Sequence, residues 1–147
     1  MGKPARLDNS GISIAFTADF EFVRPLRHFL TSLCEVAEYD DEETESLALV
    51  VTEILNNAIE HGCSRSSDEI RLSLSVKPDA FRIEVSDAGC GGQEFADGAL
   101  ELAQQMPTLE EPRGRGLFLI RSYMDVFDVS YDGKSGTRVL ISKSREP

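Results

Sequence analysis

Two periodicities alternate along the chain. Ile70, Leu72, Leu74 and Val76 are apolar, and Arg71, Ser73, Ser75 and Lys77 between them are polar. Phe81, Ile83 and Val85 repeat the pattern against Arg82, Glu84 and Ser86. A period of two places successive side chains on opposite faces of a strand, so each segment predicts a strand with one buried and one wet face. Pro78-Asp79 reads as a tight turn that pairs the two as an antiparallel hairpin. An all-parallel sheet covered on both faces would show continuous apolar runs, so the pattern argues against a Rossmann-type fold.

Elsewhere the period is helical. Leu26, Phe29, Leu30, Leu33 and Val36 recur at helical spacing after Asp19, a capping residue, and Pro25 fits only near the first turn. A second helix is expected over about 42–61, with Leu47, Val50, Val51, Ile54, Leu55, Ala58 and Ile59 as its apolar face. The acidic run Asp40–Glu45 favours its N-terminus through the helix dipole and reads as a solvated cap. Gly62 reads as its C-terminal stop.

Residues 1–9 are expected to be a flexible tail, and Ser10–Thr17 a first strand. Residues 93–115 carry little strand signal and read as a lid, within which 95–106 can form a short helix. Gly116–Asp125 reads as a helix opening at a glycine loop, then Val126–Tyr131 and Gly136–Lys143 as two strands, then a short polar tail. The order β-α-α-β-β-lid-α-β-β predicts a single domain over 10–144. Its class is α/β, a two-layer sandwich with a mixed, mostly antiparallel sheet and helices on one face.

Composition narrows the function. The 147 residues carry a formal charge of -11, which argues against a nucleic-acid binder, since phosphates need a basic surface. The three cysteines are odd in number and form no C-x-x-C pair, so reduced thiols are expected. No signal-peptide pattern and no apolar run of about 18 residues is present, so a cytoplasmic location without membrane contact is the expectation.

Three segments carry candidate chemistry. In "TEILNNAIEHG" Glu53 and Asn57 lie four apart on one helix face. A carboxylate and an amide oxygen so placed can hold magnesium and orient a nucleophile, or can equally be a solvated stripe. "DAGCGG", Asp87–Gly92, sets an acceptor at a strand end beside backbone able to approach a ligand, or is a glycine-rich turn. "PRGRGLFLI" offers helix-start amides at Gly114 and Gly116, with Arg113 and Arg115 for an anion, or is a loop and a cap. The "GKS" at Gly133–Ser135 lacks the P-loop's first glycine and its strand-to-helix setting.

In this order, closed by "GTRVLI", the segments resemble the GHKL ATP-binding superfamily. They are most similar to the anti-sigma-factor serine kinases of bacterial partner-switching systems. "EILNNAIEHG" resembles the N-box of that family, "DAGCGG" its first glycine box and "GRGLFLIRSYMD" its second; the likeness runs over about residues 12–143. The resemblance implies a Bergerat-type ATP-binding fold with ATP and Mg2+ as cofactors. It gives Glu53 as general base and Asn57 as magnesium ligand. Asp87 would accept from the adenine amino group, with Gly89 and Gly91 letting backbone approach the base. Arg113, Gly114, Arg115 and Gly116 would cradle phosphates, and Thr137 would sit near the adenine.

The implied activity is transfer of the γ-phosphate to a serine of a STAS-domain antagonist. A sigma factor is a second implied partner, and the assembly a homodimer. The alternative is a nucleotide-binding anti-sigma module without kinase activity. Two departures, "MDVF" for the family's frequent "MDEV" and Gly92 for a common apolar residue, touch no expected nucleotide contact.

Overall fold

A computed structural model of the chain describes residues 11–103 and 123–145. The elements in order are β1 (Ile12–Thr17), a 3-10 turn (Phe20–Phe22), α1 (Val23–Val36), α2 (Asp41–His61), β2 (Glu69–Val76), β3 (Ala80–Ser86), α3 (Gly92–Ala103), β4 (Val126–Asp132) and β5 (Gly136–Ser144). The tail at 1–9, the rest of the lid from 104 and almost all of the helix expected at 116–125 lie outside the described residues.

The five strands form one sheet in the order β1-β2-β3-β5-β4. Every pairing among the described residues is antiparallel, so the sheet is not mixed as the sequence suggested. The connection between β1 and β2 explains this. It holds two helices joined by a short loop, which run away from the end of β1 and back to it. A single crossover helix would have delivered β2 parallel to β1.

The period-two reading survives packing intact. Leu72 faces Val85, Leu74 faces Ile83, and Ile83 in turn faces Ile141. These side chains are buried, and they meet Leu26, Leu30 and Cys34 of α1 and Leu47, Val51, Ile54 and Leu55 of α2 in one core. On the opposite face Glu84 lies between Arg82 at 3.7 Å and Arg138 at 4.0 Å. That wet face needs no covering layer.

Both helix starts follow from local chemistry. Asp19 accepts from the Glu21 amide at 2.8 Å and caps the 3-10 turn, which places Pro25 in the first turn of α1. Asp40 accepts from the Glu43 amide at 2.8 Å at the start of α2. Val36 was expected on the buried stripe of α1 but is 83% exposed. The helix ends there, Glu38 turns through the left-handed region (φ 62), and Tyr39 packs inward in its place.

The acidic run is more than a solvated cap, and the polar tail is not loose at Arg145. Arg145 Nε and Nη2 grip the two Glu43 carboxylate oxygens at 2.7 and 2.8 Å. Its guanidinium lies over the Tyr39 ring, 3.6 Å from the centroid, and Nη1 donates to the Pro78 carbonyl. Tyr123 joins at 3.4 Å through its hydroxyl to Glu43, while Lys143 donates to the Tyr123 carbonyl at 2.7 Å. The hydrogen bonds from Arg145 hold the Glu43 carboxyl below its ordinary value of 4.5.

Replacing Arg145 by methionine should therefore cost about 2–3 kcal/mol in urea unfolding at neutral pH, since a partly buried carboxylate loses a two-bonded partner. The folded-state pKa of Glu43 is depressed, so this stabilisation is present above pH 4.5 and is lost as pH falls through the lower folded value. The difference between the two proteins should shrink over that acid window. An equal gap at all pH values would show that the ion pair is not its source.

Candidate functional site

Asp87 is the residue after β3, and three stretches of backbone close around it. Its side chain is buried, with the residue 7% exposed. Oδ1 accepts from the Gly89 amide at 2.7 Å, and the Asp87 amide donates to the Thr137 carbonyl at 2.9 Å. Gly62 ends α2 against the carboxylate: a Cβ there would lie 2.0 Å from Oδ2. Gly136 opens β5 with φ +87, and its Cβ would lie 2.0 Å from the Asp87 carbonyl oxygen. Gly89, with φ +77, would put a Cβ 2.6 Å from the Gly136 Cα.

These glycines have different reasons. Gly62 has an ordinary helical φ of -83, so it is no left-handed helix stop; the missing side chain is what matters. Gly136 and Gly89 need both the left-handed backbone and the space. Gly62 and Gly136 were not singled out as site residues in the sequence. Their signal was position: one directly follows the N-box-like helix, the other directly precedes Thr137.

Burial raises the Asp87 carboxyl above its ordinary 3.8, and the Gly89 hydrogen bond offsets part of that rise. Thr137 is 1% exposed, and among the described residues its hydroxyl oxygen has no hydrogen-bond partner. It lies near enough to the carboxylate to favour the charged form slightly, without bond geometry. A buried hydroxyl of this kind is costly unless something else satisfies it.

A crevice opens beside the carboxylate. Ile54 and Ala58 of α2, Val85 of β3 and Val139 of β5 give it apolar walls, and Asn57 and Asp87 are its polar members. Phe95 of α3 closes one side, with its ring 5.1 Å from that of His61. Gly91 makes room for this closure, since a Cβ there would meet Phe95 at 2.6 Å. The enclosed volume is about 10 Å³, close to what one water needs.

The expected residues divide three ways. Asn57 and Asp87 share the crevice, with Thr137 and Gly89 packed around the latter and Gly91 set against Phe95. Glu53 is half-buried one helical turn before Asn57 and does not line the enclosed part. His61 turns its ring to Phe95, and Asn56 stays off the crevice wall. Arg113, Gly114, Arg115 and Gly116 lie outside the described residues. Among the described residues no three His, Cys, Asp or Glu side chains converge on a metal-sized site, and no helix is long and apolar enough to cross a membrane.

Comparison with known proteins agrees with this geometry. Residues 16–143 match the family model described as the histidine kinase-like ATPase domain. The chain is 30% identical over 104 residues to an anti-sigma F factor of Clostridium perfringens, covering 69% of this chain and 73% of that one. It is 28% identical over 139 residues to the serine-protein kinase RsbW of Listeria innocua, covering 90% and 85%. Among solved structures, the RsbU and RsbW domains of a Mycobacterium tuberculosis protein superpose with a TM-score of 0.64 at 18% identity. That match spans 92% of this chain and 33% of the other, and it speaks to the fold.

Two outcomes test the enclosure of Asp87. Gly62→Ala forces a methyl into the carboxylate and should destabilise the chain by about 1–3 kcal/mol in denaturant unfolding. Asp87→Asn should instead hold or raise stability at pH 7. The raised folded-state pKa means that stability falls as pH climbs from 3.8 through the higher folded value, a loss that asparagine does not suffer. Thermal melts from pH 3 to 7 should show the variant gaining on the parent chain as pH rises, since the other acidic groups contribute equally to both.

Proposed function

The chain belongs to the histidine kinase-like ATPase domain family, and from that premise we propose that it is an anti-sigma-factor-type serine/threonine kinase acting on a STAS-domain antagonist. The observation that carries the reading is Asp87, a buried carboxylate with one oxygen engaged by Gly89 and an unsatisfied hydroxyl, Thr137, beside it. Folding gains nothing from such a group, whereas an adenine ring offers it an amino donor and gives Thr137 a partner. ATP therefore fits this set of polar groups, and the purine would lie between the α2 and β5 walls.

Admitting the purine requires the nearly closed crevice to widen. Phe95 is the wall suited to withdraw, because α3 carries it and the expected lid begins there. Asn57, in the same crevice, would hold Mg2+ with phosphate and water oxygens completing the shell. The ion would supply charge neutralisation across the phosphates.

Glu53 would take the proton from the incoming serine hydroxyl. It lies nine residues before Gly62, roughly 13 Å along the helix axis. That separation suits a ligand anchored by its base at one end of the ridge and reacting at the other. Arg113, Gly114, Arg115 and Gly116 are proposed to complete the phosphate cradle. The names of the relatives support a sigma factor as a second partner, and a homodimer is proposed with it.

In labelling assays with a STAS-domain substrate, Glu53→Gln should keep nucleotide affinity and lower transfer about 10²–10⁴-fold, the usual worth of a positioned base. Normal transfer by the variant would place the base elsewhere. Asp87→Asn should abolish measurable ATP binding by calorimetry while the chain stays folded. A parent chain that binds ATP and transfers nothing to any STAS protein would instead be a nucleotide-holding anti-sigma module.

A further inference from the structure

Cys63 follows Gly62 at the end of α2, and Cys90 lies in the loop between β3 and α3. The Cys90 amide donates to the Gly62 carbonyl at 3.1 Å. The Gly62 carbonyl oxygen belongs to the peptide that leads into Cys63. Fixed covalent geometry then holds the Cα atoms of Cys63 and Cys90 at most about 7 Å apart. The loop stays alongside α2 for another residue, since a Cβ on Gly91 would lie 3.2 Å from the His61 carbonyl. The two thiols are close enough that ionising one opposes ionising the other. Cys90 is exposed and Cys63 half-buried.

We propose that Cys63 and Cys90 are a redox pair that a peroxide closes into an intramolecular disulfide, pinning the glycine-rich loop to the end of α2. That ceiling coincides with the longest Cα separation that a disulfide bridges without backbone movement. The exposed Cys90 thiol gives up its proton and its sulfur attacks the peroxide; the O–O bond breaks, Cys90 becomes a sulfenic acid, and the leaving hydroxide takes the released proton and departs as water. The Cys63 sulfur then attacks the Cys90 sulfur, the S–O bond breaks, and a second water leaves with the Cys63 proton. Two thiols are oxidised by two electrons and one peroxide is reduced to two waters. Cys63 is not the residue that meets the peroxide first, because burial and the nearby Asp87 and Asp68 carboxylates hold its thiol in the protonated form; it gives up that proton as it attacks Cys90. Cys34 takes no part: it is fully buried in the core, and burial pushes its thiol up to about 11.

The bond has a consequence that rests on the nucleotide reading above. It ties down the loop that carries Gly91 and leads into Phe95, so the Phe95 wall is held against His61 and the crevice stays shut. Oxidation should then weaken ATP binding, and a reductant should restore it.

The test treats the full reduced chain with hydrogen peroxide, maps the peptides by mass without reduction, and measures ATP affinity before, after and following re-reduction. The expected map joins the Cys63 and Cys90 peptides with the loss of two hydrogens, in the parent and in Cys34→Ser, and in neither Cys63→Ser nor Cys90→Ser. ATP affinity should fall about tenfold or more on oxidation and recover with dithiothreitol. Disulfides only between chains, or Cys90 carried to sulfinic acid beside a free Cys63, overturn the pair. A disulfide that forms with no change in affinity overturns its control of the crevice. A reduced chain that binds no ATP sinks the kinase reading and the affinity claim with it, while the peptide map still decides the bond.

Discussion

The structure turns on keeping one carboxylate dry. Asp87 sits where α2, the loop after β3 and the start of β5 meet, and each arrives as bare backbone. Three glycines are the condition for that meeting. Gly62 leaves space for the carboxylate, Gly136 for the Asp87 carbonyl, and Gly89 for Gly136 itself. The sheet register is bound to the same point, because Ser86 pairs with Arg138 and the next amide, Asp87, bonds the Thr137 carbonyl. A shift of β5 by one residue would carry Thr137 to the other face and break the enclosure.

This arrangement sets stability against binding. Burial opposes charge on Asp87, and the Gly89 amide, donating to it at 2.7 Å, offsets part of that opposition. The Thr137 hydroxyl adds a second uncompensated polar group. Such groups are few in native chains, and each calls for an explanation beyond packing. The helix pair, by contrast, is packed mainly on apolar contact: Leu30, Leu47, Val50 and Leu55 are fully buried. Rigidity beneath the crevice comes from that layer, and the strain sits on top of it.

Most of the fold was legible because its signals are periodic. Alternation in β2 and β3 gave the hairpin, and every apolar position named on α2 is buried. What escaped was non-local. Nothing near Glu43 in the sequence says that Arg145 will grip it, and the acidic run looked fully explained by the dipole. The parallel-or-antiparallel choice depended on counting helices between β1 and β2, which local pattern does not weigh. In the site, Asp87, Asn57 and Thr137 were found by motif. Gly62 and Gly136 were given local reasons, a helix stop and the start of a strand, and their real reason is a neighbour distant in the chain. Phe95 carried no signal, since an aromatic in a lid reads as any helix residue.

The grip of Arg145 on Glu43, Tyr39 and Pro78 bears on how the domain can be cut. Its boundary by secondary structure falls at Ser144, where β5 stops. Trimming there for expression would discard the guanidinium and with it both short hydrogen bonds that hold the Glu43 carboxylate. A usable recombinant fragment must run through Arg145, and a purification tag belongs beyond it with a spacer.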